Sequence, residues 1–185
     1  MVNNNSKSYS SPYKSNESIT IRLDRSILRA LKTEADHKQV TTNTLITQVL
    51  KQHINWHSHS SEAGFIAVRR NLILKLLEKL SEEDIMIISE YIFRTETKDF
   101  VRMLRNEYNI HSALNALETW MNICGYPYRH EVNNDSKHSY VIHHDMGKRW
   151  SLHLAELYRF LFKEFGVKQA EFDLGESALS FVAQC

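Results

Sequence analysis

Apolar and polar positions alternate in the short segment 18–24, which reads SITIRLD. Ile19, Ile21 and Leu23 are apolar and the residues between them are polar, which is the period of a strand with one buried face. Even a two-stranded ribbon is only marginally stable in water. No second strand pattern follows closely enough to fold back as a hairpin. The segment therefore predicts a strand whose partner comes from elsewhere.

The pattern becomes helical directly after this strand. Apolar residues at 27, 28, 31 and 35 follow Asp24, a typical N-cap residue, and predict a helix that ends between 37 and 39. A second helix is predicted after Thr41, with apolar residues at 45, 46, 49, 50 and 54. Residues 1–16 are polar and predict a flexible arm. Residues 17–56 then form one predicted domain, and the polar, aperiodic residues 57–63 form a linker.

Residues 64–185 alternate between helical and strand patterns and predict a second domain. A strand at 65–73 is expected to run into a helix, and Ser81 with Asp84 predicts a capping box. Helices are predicted at 97–107, 111–123 and 147–165, a β-hairpin at 126–144, and one or two strands at 170–183. The fold class is therefore α+β, with a small antiparallel sheet covered by several helices.

Composition narrows the class of protein. The 185 residues are 42% hydrophobic and 24% charged, which is typical of a globular chain. No apolar run approaches the roughly 18 residues of a membrane span, and the first residues lack the apolar core of a secretory signal. Two cysteines make no disulfide framework. We expect a cytoplasmic protein without a membrane partner.

Charge is distributed unevenly along the chain. Residues 1–60 carry a net charge of +4, whereas the remaining residues carry −3. A basic N-terminal segment on a mildly acidic body indicates a module that binds a polyanion.

The order strand, helix, helix in residues 18–54 resembles the ribbon-helix-helix family of DNA-binding proteins, the Arc and MetJ type. The resemblance covers about a fifth of the chain and implies that the missing strand comes from a second copy. Two strands would pair antiparallel in an intertwined homodimer, and the ribbon would enter the DNA major groove. The partner implied is double-stranded DNA, and the domain needs no cofactor to bind it.

The resemblance also assigns roles to individual side chains. The polar face of the ribbon would read base edges, since Arg bonds guanine bidentately and Thr bonds a base edge or contacts a thymine methyl group. The expected base-contacting residues are Ser18, Thr20 and Arg22. The expected dimer core is formed by Ile19, Ile21, Leu23, Leu45, Ile46 and Val49.

The family holds a DNA phosphate at the start of its second helix, where free N–H groups and the helix dipole favour an anion. In this chain those residues are Thr41, Thr42 and Asn43, and Arg25 and Lys14 are further candidates for phosphate contacts. The chain departs from the family between the helices. Lys38 and Gln39 stand where the family usually has Gly, so the turn requires a non-glycine residue at positive φ or a different connection.

Three roles are open for the second domain. The first is a sensor of a metal or small molecule. The second is an assembly domain that joins dimers into tetramers and so increases avidity. The third is a toxin-binding segment of an antitoxin that controls its own promoter. Antitoxin tails are typically short and disordered until bound, whereas this segment is apolar and periodic.

The two-domain arrangement is similar to that of nickel-responsive repressors, whose metal site uses His and Cys ligands in the second domain. Imidazole and thiolate are the usual ligands of late first-row metals. The candidate ligands here are His130, His138, His144 and Cys124. In the predicted hairpin the three histidines share one face of the sheet.

A small anionic effector is the other ligand candidate. The helix predicted after Gly147 begins close to a strand end, and its first N–H groups would attract an anion. The candidate residues are His144, Lys148, Arg149 and Ser151. Catalysis is not expected, because no nucleophile motif, phosphate loop or paired-carboxylate signature frames these groups.

Overall fold

A computed structural model describes residues 17–60, 64–133 and 137–185. The predicted arm, with Lys14, lies outside these ranges. The chain divides into two units after Gln48, inside helix α2 (Thr42–Gln52). We call them the N-terminal and the C-terminal unit.

Two helices make up the described part of the N-terminal unit. α1 spans Arg25–His37 and is followed by α2, so both predicted helices are confirmed. Residues 17–24 form no strand, and their side chains are exposed. The single chain offers no neighbouring strand in residues 17–60, 64–133 and 137–185 to pair with them. Asp24 stands at the N-cap of α1, but its side chain makes no capping hydrogen bond.

The turn between α1 and α2 has no glycine and instead places a non-glycine residue at positive φ, which was one of the two expected alternatives. Gln39 has φ of 54°. Its N–H donates to the Asp36 carbonyl at 3.1 Å, and the Val40 N–H donates to the Ala35 carbonyl at 3.0 Å. These two bonds define a Schellman motif, which usually places Gly at this position.

The expected linker is helical in its first half. α2 continues through a π-helical turn, His53–His57, into the short α3, Ser58–Ser60. Trp56 is buried, with its ring centroid 4.7 Å from that of Phe65 and 6.0 Å from that of Phe100. This aromatic packing supports a helix that the polar sequence around Trp56 did not predict.

Helices form the next part of the C-terminal unit. The strand predicted at 65–73 is wrong, because residues 65–69 have no regular structure and α4 spans Arg70–Leu77. α5 spans Glu82–Ile92 and begins with the predicted capping box of Ser81 and Asp84. A π-helical turn, Phe93–Thr97, leads into α6, Lys98–Arg105, and α7 spans Ile110–Cys124.

The strands form one four-stranded antiparallel sheet, in the order β1-β2-β4-β3. Their bounds are Tyr128–Val132 (β1), Lys137–His143 (β2), Ala170–Leu174 (β3) and Ala178–Gln184 (β4). α8, Lys148–Glu164, connects β2 to β3. The predicted hairpin, long helix and final strands are therefore confirmed, as is the α+β mixture of helix and sheet.

The core of the C-terminal unit lies between one face of this sheet and the helices. Tyr140 and Ile142 of β2 and Phe181 of β4 are buried, as are Leu154 and Tyr158 of α8. Alternate strand residues point to opposite faces, so this burial leaves the other face with exposed Glu171 and Asp173. In the described parts of the chain, no helix combines the length and apolar character needed to cross a membrane.

The Schellman turn predicts the effect of one substitution. Gln39→Gly should raise the free energy of unfolding by about 0.5–1 kcal/mol, because glycine adopts positive φ without the steric cost of a Cβ atom. Denaturant titration followed by circular dichroism, at one protein concentration, measures the change.

Gln52→Gly is the matched control, because Gln52 has a right-handed φ of −63° in the same pair of helices. There glycine should cost about 1 kcal/mol. Destabilisation by both substitutions would contradict the strained turn at Gln39.

Candidate functional site

The expected base-contacting side chains all lie on the surface of the N-terminal unit. Ser18, Thr20 and Arg22 are exposed in the segment before α1. The apolar residues between them are exposed as well: Ile19 by 82%, Ile21 by 50% and Leu23 by 39%. The segment therefore presents a polar and an apolar set of side chains, and neither is covered within the described chain.

The rest of the expected dimer core is buried only in part. Leu45 is buried at 1% exposure and Ile46 is half-buried, whereas Val49 is 49% exposed. Ile27 and Leu28 of α1 are 48% and 38% exposed. Apolar surface thus extends from the segment before α1 onto both helices.

The start of α2 leaves two backbone N–H groups unpaired among the described residues. Thr41 caps the helix, because its Oγ1 accepts a hydrogen bond from the Thr44 N–H at 3.0 Å. The N–H groups of Thr42 and Asn43 have no acceptor among the described residues. Arg25 is exposed at the first position of α1. Free N–H groups at a helix N-terminus are the usual donors to a bound anion.

A carboxylate and two imidazoles form a hydrogen-bonded chain against the sheet. Glu118 of α7 accepts from the Tyr140 hydroxyl at 2.6 Å, and its Oε1 lies 2.8 Å from His130 Nδ1. His130 Nε2 lies 2.8 Å from His138 Nδ1. The His130 ring also stacks on Tyr140, with centroids 3.9 Å apart. His130 and Tyr140 are paired across β1 and β2, so the predicted shared face is confirmed for His130 and His138, whereas His144 lies beyond the end of β2.

This network ties α7 to the sheet. Burial, followed by the neighbouring His130 and His111, lowers the pKa of His138, so its imidazole stays neutral near pH 7. Burial and the Glu118 carboxylate raise the pKa of Tyr140, so its hydroxyl stays a donor. No serine, threonine or cysteine hydrogen-bonds to the network among the described residues, so it lacks the nucleophile of a catalytic triad.

The four candidate metal ligands do not form one cluster, although His130 and His138 are in contact. In the described part of the chain, no group of three or more His, Cys, Asp or Glu side chains is placed to hold a metal ion. Both nitrogens of His144 already have partners, Ser151 Oγ and the Met146 N–H. Cys124 lies exposed at the end of α7, and partial burial of its thiol raises its pKa to about 11, which disfavours the thiolate.

His144 and Ser151 form a buried hydrogen-bonded pair. The Met146 N–H donates to His144 Nδ1 at 3.0 Å, so the imidazole proton sits on Nε2, which lies 2.8 Å from Ser151 Oγ. The Ser151 hydroxyl donates to the Gly175 carbonyl at 2.6 Å. His144 is 1% exposed, and burial lowers its pKa. Two of the four expected effector-binding residues therefore join α8 to the β3–β4 turn instead.

The N-terminus of α8 already has an anion from its own chain. The Lys148 N–H donates to Glu176 Oε2 at 3.1 Å. Lys148 and Arg149 are exposed beside a cleft of about 500 Å³ that Glu78, Glu82 and Glu176 also line. The expected anionic effector would therefore meet three carboxylates. At the start of α8 the first backbone donor is therefore taken by Glu176 of the same chain.

His153, a partly buried histidine of α8, was not predicted as a functional residue. His153 Nδ1 lies 2.8 Å from Ser89 Oγ, and the Ser89 hydroxyl donates to the Ile85 carbonyl at 2.6 Å. The proton between the two side chains therefore belongs to His153 Nδ1. Burial lowers the pKa of His153 to about 4.

The sequence indicated some of these partners but not others. The hairpin pattern placed His130, His138 and Tyr140 on one face of the sheet. Glu118, Glu176 and Ser89 were missed, because each reaches its histidine or helix end through tertiary packing over a long sequence separation. Ser89 and His153 are polar residues on the inner faces of α5 and α8, and this was the signal in the sequence for their contact.

No protein-family model, curated protein or solved structure matches this chain.

The lowered pKa of His153 predicts a loss of stability in acid. Its imidazole takes up a proton near pH 6.5 in the unfolded chain but only near pH 4 in the folded chain. The free energy of unfolding is therefore highest above pH 6.5 and decreases as the pH falls towards 4. His153 should account for about 2 kcal/mol of the decrease between pH 7 and pH 5.

Denaturant titrations at the two pH values measure this decrease. In His153→Asn, whose amide retains a donor for Ser89, the decrease should be smaller by that amount. His143→Asn, at an exposed histidine of the same unit, should behave as the wild type does. An identical decrease in wild type and His153→Asn would refute the assignment.

Proposed function

We propose that this protein is a homodimeric, sequence-specific DNA-binding regulator of transcription, acting in the cytoplasm. In the proposed dimer, residues 18–24 of two copies pair as an antiparallel ribbon that enters the DNA major groove. The observation that carries the proposal is the uncovered apolar set Ile19, Ile21 and Leu23 on one side of a segment whose other side is polar.

The N-terminal unit is too small to bury its own apolar residues. Of the described residues 17–48, only Ala35 and Leu45 are buried. Covering an exposed Ile or Leu side chain contributes about 1.5–3 kcal/mol. A second copy would cover Ile19, Ile21 and Leu23 together with the exposed residues of α1 and α2. The ribbon would also give the backbone N–H and C=O groups of 18–24 their missing partners.

Dimerisation through the apolar side directs the polar side of the ribbon outwards. Because side chains alternate along a strand, Ser18, Thr20 and Arg22 would then lie together on one surface. A two-stranded ribbon fits the major groove, and hydroxyl and guanidinium groups are among those that read base edges there.

The start of α2 supplies a contact that does not depend on DNA sequence. The free N–H groups of Thr42 and Asn43 would hold a backbone phosphate, and Arg25 would add charge close to the ribbon. Phosphate contacts of this kind fix the position of the protein on the duplex, whereas base contacts specify the sequence.

The C-terminal unit would serve for effector sensing, for assembly of dimers into tetramers, or for both. Its sheet, its buried helices and its hydrogen-bonded histidines form an ordered core without the N-terminal unit. An ordered core of this size favours these roles over that of an antitoxin tail that folds on its toxin.

Arg22 tests the base-reading side of the ribbon. Arg22→Ala should weaken specific binding by about 1–3 kcal/mol, or roughly 5- to 150-fold in Kd, with little change in stability. The measurement is a DNA titration by fluorescence anisotropy at several salt concentrations, with genomic fragments that include the protein's own promoter. Arg129→Ala, at a 76% exposed arginine of β1, is the matched control and should leave Kd unchanged.

Equal losses in Arg22→Ala and Arg129→Ala would show that the effect is one of net charge rather than of base reading. No binding of any fragment by the wild type at low salt would overturn the proposed function.

Two neighbouring substitutions separate dimerisation from DNA binding. Ile21→Asp should convert the dimer to a monomer, because it would place a charge in the shared core without a partner. Thr20→Asp should preserve the dimer but abolish DNA binding, because its carboxylate would face the DNA. Sedimentation equilibrium and the same DNA titration measure both properties. Loss of the dimer in Thr20→Asp, with a stable dimer in Ile21→Asp, would place the strand in the opposite register.

A further inference from the structure

A largely apolar pocket of about 230 Å³ lies within the C-terminal unit, among α5, α6, α7 and α8. Its walls include the rings of Phe65, Phe100, Trp120 and Tyr158. We call it the aromatic pocket. The expected effector and metal residues do not line it, so it is a separate feature from the cleft at the start of α8.

Trp56 is not part of the lining of the aromatic pocket but packs against two residues that are. Trp56 is 5% exposed and packs against both Phe65 and Phe100, whose own centroids are 5.7 Å apart. The π-helical turn Phe93–Thr97 places Glu96 and Thr97 at the same pocket. Turns of this type recur at functional sites. The packing of three rings makes the pocket a preformed feature of the fold, which reduces the cost of ordering it on binding.

Two polar groups at the pocket have unused hydrogen-bonding capacity. The proton on His153 Nδ1 goes to Ser89, which leaves the lone pair on Nε2 without a donor among the described residues. Tyr158 is 3% exposed, and the one acceptor of its hydroxyl in the described chain is the Met121 sulfur at 4.0 Å. Sulfur is a weak acceptor. A ligand that supplies a donor to Nε2 would satisfy a group that the fold leaves unpaired.

The charge of the lining excludes an anionic ligand. Glu96 is the one charged side chain among the described residues that line the aromatic pocket, and no lysine or arginine does so. Burial keeps the His153 imidazole neutral, since its pKa is lowered to about 4. A carboxylate would therefore lose its hydration without gaining a cation, which is costly.

The size of the pocket sets the size of the ligand. An apolar cavity of about 150 Å³ is enough for benzene. The 230 Å³ of the aromatic pocket therefore has room for one substituted ring or two fused rings.

We propose that the aromatic pocket binds a neutral aromatic compound of one or two rings that carries a hydroxyl or N–H donor, of the phenol or indole class. The donor bonds His153 Nε2, and the ring packs against Phe100 and Trp120. The inference deepens the proposed function by naming the class of effector, and it rests on that function only for the consequence for DNA binding.

Isothermal titration calorimetry of the full chain with phenol, toluene and benzoate tests the proposal without DNA. Phenol should bind saturably and more tightly than toluene, which has the same shape but no hydroxyl, and benzoate should not bind. No saturable binding of phenol, or tighter binding of benzoate, would overturn the proposal. Because no DNA is present, this failure is distinct from failure of the proposed function.

Two variants locate the site. Leu157→Phe fills the aromatic pocket and should abolish phenol binding. Leu152→Phe makes the same change on α8 at the other cleft and should leave binding unchanged. Equal phenol affinity in Leu157→Phe and wild type would place the ligand elsewhere and overturn the proposal.

A second substitution tests the hydrogen bond and does not depend on filling the core. His153→Asn should weaken phenol binding about tenfold but leave toluene binding unchanged within about twofold, because only phenol donates to Nε2. An unchanged ratio of phenol to toluene affinity would refute the role of His153. Circular dichroism spectra establish that each variant is folded.

Discussion

The N-terminal unit depends on one constraint: the apolar residues at 19, 21 and 23 have no cover within the described chain. The backbone around them also lacks a strand partner, so hydrophobic burial and hydrogen bonding make the same demand. A second copy would meet both demands at once and would direct the polar residues of the segment outwards. In the proposed account, the apolar side of this strand therefore forms the dimer and its polar side contacts DNA.

In the C-terminal unit, by contrast, the unit's own helices cover the apolar face of the sheet. At that contact three histidines have specific side-chain partners: Glu118 for His130, Ser151 for His144 and Ser89 for His153. Each pair joins a helix to another element. Histidines that appeared in the sequence as metal or effector ligands thus serve largely to fix the packing. His153, which was not among those candidates, also fixes the packing, and its second nitrogen has no donor among the described residues at an apolar pocket.

Local signals in the sequence predicted most of the elements. The capping box at Ser81, the helix end at His37 and the pairing of β1 with β2 depend on neighbouring residues and were predicted correctly. The strand at 65–73 was wrong: Val68 and its apolar neighbours favour a strand locally, but residues 65–69 pair with none of the four strands, and Phe65 packs on Trp56 and Phe100 instead. The helical start of the linker was missed because it depends on Trp56 meeting Phe65 and Phe100. The site residues show the same division. The shared face of the hairpin could be predicted from the sequence, whereas the contacts of Glu118 and Glu176 depend on how helix and sheet pack in three dimensions.

The most direct test of the central claim is backbone hydrogen exchange across residues 18–24 in the wild-type chain, followed by mass spectrometry over a range of protein concentrations. A ribbon between two copies predicts protected amides in this segment, with protection that increases with concentration. Exchange as fast as in an unstructured peptide, at concentrations where α1 and α2 are protected, would contradict the account.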